Sequence, residues 1–261
     1  MSPTTDFLAR RAEANWVSRT SWALVAATIL GQILWILVPA TTRIALTILT
    51  VLTFAALTAL QVWARAGWRV TAVYLAITLG VGWLAEAVGT RFGVPFGDYD
   101  YTGLLGWQLA EVPLLIPLAW SMMALPLLLL VRTLRWRSAP AWVLAALCFA
   151  AWDLFLDPQM VGEGYWVWNT VAPTLPGIPG IPVSNFLGWV LVALLLMRLV
   201  SLLPVGDSLP VPLAALLSWV YFSNVFAALV FFDKPGVAAW GAAAMGSFVL
   251  PWWLRLWRSR G

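Results

Sequence analysis

The chain has 261 residues, 62% of them hydrophobic and only 10% charged, where a soluble domain carries about 25% charged residues; this marks an integral membrane protein. With no histidine and one cysteine, Cys148, it has next to nothing for a disulfide, a zinc site, an iron–sulfur or haem centre, or histidine-based catalysis. The formal charge of +4 comes from basic residues scattered along the chain, which points to topology and anionic lipid rather than to nucleic acid.

Residues 1–19 form a polar, arginine-bearing N-terminal segment expected in the cytoplasm, and residues 255–261 a basic cytoplasmic tail. Between them, residues 20–254 read as a single transmembrane domain. The first apolar run is too long for a signal-peptide core and reads as an uncleaved span. About eight spans of bilayer-crossing length follow one another, at roughly 20–39, 42–63, 68–89, 109–131, 139–157, 186–203, 209–232 and 235–254. The predicted fold is therefore an all-α integral membrane protein. With both termini inside, Arg43, Arg91 and Lys234 fall outside and the other twelve of the fifteen basic residues fall inside, a strong positive-inside bias. One miscounted span would destroy that asymmetry.

Two connections are long and rich in Gly, Pro and aromatics, 90–108 and 158–185, and both emerge on the side opposite the termini. Irregular backbone at membrane depth survives only where protein or a cavity shelters it. The same side collects the acids: Glu86 at the end of the third span, Glu111 at the start of the fourth, and Asp153 and Asp157 closing the fifth. Asn185 opens the sixth span, and Asn224 and Asp233 lie toward the outer end of the seventh. Asp233 beside Lys234 reads as an ordinary interfacial acid. Glu86, Glu111, Asp153 and Asp157 read as candidate catalytic groups, because carboxylates at membrane depth are costly and these converge with two loops.

Asp153 and Asp157 are four residues apart, on one helix face, and are expected in the last turn of a helix that Pro158 ends. The helix dipole, desolvation and a like-charged neighbour all disfavour a second anion there, so one of the pair is expected to hold a proton. Glu111, at a helix start before Pro113, is expected to favour its ionised form. The loops add aromatic faces, Phe96, Tyr99 and Tyr101 in the first and Tyr165, Trp166 and Trp168 in the second, with Trp152 beside Asp153. Such faces stabilise a developing cation, although interfacial Trp and Tyr also have a plain membrane-anchoring role. No G-x-G-x-x-G or Walker motif is present. Acid-initiated chemistry on an isoprenoid double bond fits this set without a metal or a redox cofactor.

The block from Glu86 through Gly93-Val-Pro95-Phe-Gly97-Asp-Tyr99-Asp-Tyr101 resembles the bacterial and archaeal carotenoid 1,2-hydratases of the CruF type. So do Glu111-Val-Pro113 with Pro117 and Trp120, and Trp152-Asp153 to Asp157-Pro158 followed by Gly164-Tyr165-Trp166-Val-Trp168. The resemblance covers about residues 83–190. It implies a multi-pass enzyme of a prokaryotic cytoplasmic membrane that adds water across the 1,2 double bond of an acyclic ψ-end group, as in lycopene or γ-carotene. Some relatives act on bacterioruberin precursors. On this reading Asp153 or Asp157 protonates C2, Trp166, Trp168 and Tyr101 shield the cation, and Glu111 with Glu86 positions water; Asn185 and Asn224 complete the candidate substrate contacts. The alternatives are a carotenoid cyclase, a magnesium-dependent membrane prenyltransferase of the elongase kind using Asp153 and Asp157, and a non-enzymatic carotenoid-binding protein.

Overall fold

The computed structural model describes residues 3–258, with side chains from residue 15 onward; the side chains of Arg10 and Arg11, and Arg260, lie outside the described residues. Seven helices are long and apolar enough to cross a membrane: α1 (Pro3–Leu37), α2 (Ala40–Phe92), α3 (Leu115–Leu134), α4 (Ala141–Gly162), α5 (Val183–Ser201), α6 (Val211–Val230) and α7 (Pro235–Arg258). One of them, α2, is 53 residues long. At 1.5 Å per residue it would measure roughly 80 Å, against a hydrocarbon core of about 30 Å. It resolves the mismatch at Gly67, whose backbone leaves the helix with φ 77° and ψ 176°, a conformation open to glycine. The two halves of α2 are the predicted second and third spans, so the seven long helices accommodate the expected eight spans in a mostly helical, multi-pass membrane architecture.

Helix α3 forms the centre of the bundle, packed by α2, α4, α5, α6 and α7, and Leu127, Leu128, Leu129 and Leu130 are completely buried. Pro126 lies inside it and cannot donate to the carbonyl four residues earlier. That carbonyl, of Met122, instead accepts the Thr58 hydroxyl at 2.8 Å. Tyr74 Oη donates to the Ser121 carbonyl at 2.5 Å and accepts the Leu125 N–H at 3.2 Å. Both halves of α2 thus splice the interrupted ladder of α3 with side chains, as a membrane interior requires.

Arginines gather at one end of the bundle. Arg65 donates to the carbonyls of Val205 and Ser208, Arg132 to those of Ser201 and Gly206, and Arg255 to that of Leu134. The other end is closed by three short antiparallel strand pairs: β1 (Tyr99–Tyr101) with β4 (Trp166–Trp168), which joins the two long connections, and the hairpins β2 (Gln108–Leu109) with β3 (Val112–Pro113) and β5 (Thr174–Leu175) with β6 (Ile178–Pro182).

Two expectations need correction here. The fourth span begins at Leu115, not near residue 109, because Gln108–Pro113 fold back as the β2–β3 hairpin. Its two central residues, Ala110 and Glu111, have φ of 51° and 67°, the positive values that a tight two-residue hairpin turn demands. Pro158 does not end the fifth span: α4 continues to Gly162. Packing against α5 and α7 outweighs the local penalty of the proline, and Lys234 Nζ donates to the Pro158 carbonyl. Asp153 and Asp157 therefore lie one turn or more inside the helix, and the dipole argument made for them loses most of its force.

Candidate active site

Strand geometry builds the roof of the site. Strands β1 and β4 pair in the register Tyr99↔Trp168, Asp100↔Val167 and Tyr101↔Trp166. Side chains alternate across a strand, so Tyr99, Tyr101, Trp166 and Trp168 share the inward face. Val167, by contrast, is exposed, and Asp100 turns outward to accept the Asn169 amide at 2.9 Å. Asn169 also reaches Asp98 Oδ1 at 3.2 Å, which ties the two connections together from outside.

Three carboxyl groups lie beneath this roof, each almost completely buried. Glu86 comes from the second half of α2, and Asp153 and Asp157 come from α4. Glu86 Oε2 accepts the hydroxyls of Tyr99 at 2.5 Å and Tyr101 at 2.8 Å, and Oε1 accepts Trp120 Nε1 at 3.2 Å. Asp157 Oδ1 accepts the indole N–H groups of Trp166 at 2.6 Å and Trp168 at 3.3 Å. Asn185, near the start of α5, donates to Asp157 Oδ2 at 2.8 Å and to Asp153 Oδ2 at 2.7 Å. Asp153 Oδ1 is buried and has no hydrogen-bond partner among the described residues. Two of the acids are thus fully furnished with donors, and the third presents a bare oxygen.

The phenols are held neutral. Burial, and then the charge of Glu86, push the Tyr99 and Tyr101 hydroxyls well above the usual phenol range. Lys234 lies just behind Asp157; burial lowers its pKa, while Asp157 and Glu163 pull it back up. Farther out, Arg43 Nη1 pairs with Glu163 at 2.8 Å.

A cavity of about 40 Å³ opens between the acids, lined by Glu86, Asp153, Asp157, Asn185, Tyr101 and Trp168 among others. Its floor is an aromatic stack. Trp120 and Trp189 lie face to face, 4.3 Å between centroids and 8° between planes, with Phe149 stacked on both and Phe96 tilted against them. Close approach sets this corner: a β-carbon on Gly188 would lie 2.8 Å from Phe96 Cδ1 and from the Pro95 carbonyl oxygen.

Of the residues singled out from sequence, the structure brings Glu86, Asp153, Asp157, Phe96, Tyr99, Tyr101, Trp166, Trp168 and Asn185 into this one site. Glu111 stands apart, exposed at the tip of the β2–β3 hairpin. Tyr165 is buried behind the roof, where its hydroxyl lies 3.0 Å from Thr47 Oγ1. Trp152 and Asn224 line a larger neighbouring cavity, and Asn224 Nδ2 donates to the Val220 carbonyl of its own helix. Trp189 belongs to the site without having been singled out, since an apolar-span tryptophan in the middle of α5 carries no local signal.

A protein-family model described as "Carotenoid biosynthesis protein" matches residues 44–250, which span every element of the site. No curated protein matches the chain, and no solved structure does.

Proposed function

Because the chain belongs to the carotenoid biosynthesis protein family, with carotenoids as its substrates, we propose that it is a carotenoid 1,2-hydratase and that Asp153 is its acid. The observation that carries this reading is Asp153 Oδ1, buried with no hydrogen-bond partner among the described residues, on a side chain that lines a 40 Å³ cavity between three carboxyl groups. A cavity needs about 10–15 Å³ of probe-occupied volume for one water, so this one has room for the attacking water. A water held beside the acids captures the cation, whereas cyclisation would need water kept out, which is why hydration is favoured over cyclisation.

The proton on Asp153 goes to C2 of the ψ-end group. The π-electron pair forms the new C2–H bond and leaves a tertiary cation at C1. Trp120, Trp168 and Tyr101 offer ring faces to that cation, and Glu86 offers a fixed negative charge. Water adds its oxygen to C1 and gives its proton to Asp157 Oδ2. The next water to enter relays that proton from Asp157 to Asp153, which restores both groups, so the net change is one water added and no redox. Asp157 takes the water-activating role first expected of Glu111, because Asn185 holds its Oδ2 together with Asp153 Oδ2.

A prenyltransferase would use Asp153 and Asp157 to hold magnesium. Here the Asp157 oxygens already accept three N–H donors and the Glu86 oxygens accept two phenols and an indole, which leaves them poorly placed as ligands.

The positive-inside bias supports a site in the outer half of the membrane, which on this reading is a prokaryotic cytoplasmic membrane. Expression in cells that accumulate lycopene tests the reading. A pigment heavier by one or two waters supports it; an isomer of unchanged mass indicates cyclisation, and growth of the carbon chain that depends on magnesium and a prenyl diphosphate indicates an elongase.

A further inference from the structure

A second cavity, of about 380 Å³, lies beside the acid pocket, between α1, α2, α3, α4 and α6. The two share part of their lining: Ile116 and Ala119 of α3, Leu156 of α4, and Trp166 of the roof border both. One side of Trp166 thus belongs to the large cavity while its indole N–H holds Asp157. The mouth of the large cavity is bordered by Ile33 and Leu37 on α1 and by Phe226 and Phe231 at the end of α6, all of them exposed and apolar. In a membrane such a mouth opens sideways into lipid, not into water.

We infer that the large cavity holds the chain of an acyclic polyene that enters laterally from the bilayer between α1 and α6, and that Ile116, Ala119 and Leu156 form the doorway through which its end group reaches the acids. The occupant follows from three features. The cavity shares four lining residues with the acid pocket of a chain that belongs to a carotenoid biosynthesis family. It is walled by flat aromatic faces, Trp35, Trp152, Trp166 and Trp219, which suit a conjugated chain better than a saturated acyl chain. Its mouth admits only what dissolves in lipid. The assignment of the doorway rests on the hydration reading, whereas the assignment of the cavity does not.

The experiment uses the full chain purified in detergent from lycopene-accumulating cells, and measures bound pigment, bound phospholipid and hydrated product. Ala227→Trp fills the large cavity from α6 and is expected to lose bound pigment and product together, each at least about tenfold. Ala119→Leu narrows the doorway and is expected to keep the pigment while losing product by a similar factor. If Ala227→Trp is not monodisperse after purification, the smaller Val51→Phe takes its place with the same readings.

Product formed by the filled-cavity variant at the wild-type rate would overturn the inference, and so would recovery of phospholipid alone from wild type. Pigment and product lost together in a monodisperse Ala119→Leu overturn the doorway. Wild-type protein that binds lycopene and never changes its mass, with binding abolished by Ala227→Trp, sinks the hydration reading and leaves the cavity assignment standing.

Discussion

Asn185 Nδ2 stands 2.7 Å from Asp153 Oδ2, while the other oxygen of that carboxyl, Oδ1, meets no donor among the described residues in a fully buried position. A carboxyl held from one side and bare on the other is oriented to give up a proton in one direction. Asp153→Asn keeps the shape and removes the acid. General acids contribute typically about 10²–10⁴-fold, so hydrated product should fall by at least about 100-fold. The same variant should still bind pigment. Turnover within twofold of wild type removes Asp153 from the acid role.

Asn185 also ties two acids on α4 to a helix that begins at Val183. Asn185→Leu leaves both carboxyl groups without that donor. Each buried group left unsatisfied costs roughly 1–3 kcal/mol, and thermal unfolding in detergent should register the loss. Asn185→Gln, if its longer amide still reaches, should recover part of the stability but not the turnover.

Glu86 acts on the cation by charge, and on the roof by accepting two phenols and an indole. Glu86→Gln largely separates the two roles, since the amide oxygen can still accept both phenols and only the Trp120 indole loses its acceptor. The expected result is a roof of near-normal stability and turnover reduced by about tenfold or more, a factor that corresponds to about 1.4 kcal/mol of barrier. Unchanged turnover would mean that Glu86 is a structural anchor only.

The roof should be alkali-sensitive in a defined direction. Tyr99 and Tyr101 are held above the usual phenol range, so their folded-state pKa values exceed the unfolded one. Their contribution is fully present below about pH 10, the ordinary phenol value. It falls as pH rises beyond that point, because only the unfolded phenols then ionise. A thermal-unfolding series run upward from neutral pH should decline only at its alkaline end, and Tyr99→Phe combined with Tyr101→Phe should flatten that decline.

Gly188 tests how tightly the aromatic floor is set. Gly188→Ala replaces an α-hydrogen by a β-carbon 2.8 Å from both Phe96 Cδ1 and the Pro95 carbonyl oxygen. Overpacking of this kind costs typically about 1–3 kcal/mol, and the loop that carries Tyr99 and Tyr101 must shift. Loss of both stability and turnover is expected, measured by unfolding temperature and product yield.

Much of this site was legible before the structure. Carboxyl groups at membrane depth stand out against an apolar background, and the basic residues on the connections sort them to one side; that reasoning found Glu86, Asp153, Asp157 and Asn185. The spans were legible too, since Gly67 breaks α2 where the apolar pattern pauses at Arg65 and Arg69. Two local rules failed. A proline predicts a helix end at Pro158, but the packing of α4 between α5 and α7 carries the helix on to Gly162. Glu111 was read as a helix start, but the Ala110–Glu111 turn is fixed by hairpin pairing that no helix propensity reveals. The alternation Tyr99-x-Tyr101 and Trp166-x-Trp168 was visible in the sequence. Its meaning, two paired strands with one shared inward face, required knowing that residues about 67 apart are neighbours.

The most direct measurement of the central claim is the product formed when the purified protein meets lycopene in water enriched in heavy oxygen. The expected product is lycopene plus one labelled water per converted end, with the label in a tertiary hydroxyl, and none of it from Asp153→Asn. Lycopene recovered unchanged, an isomer of equal mass, or labelled product formed at the wild-type rate by Asp153→Asn contradicts it.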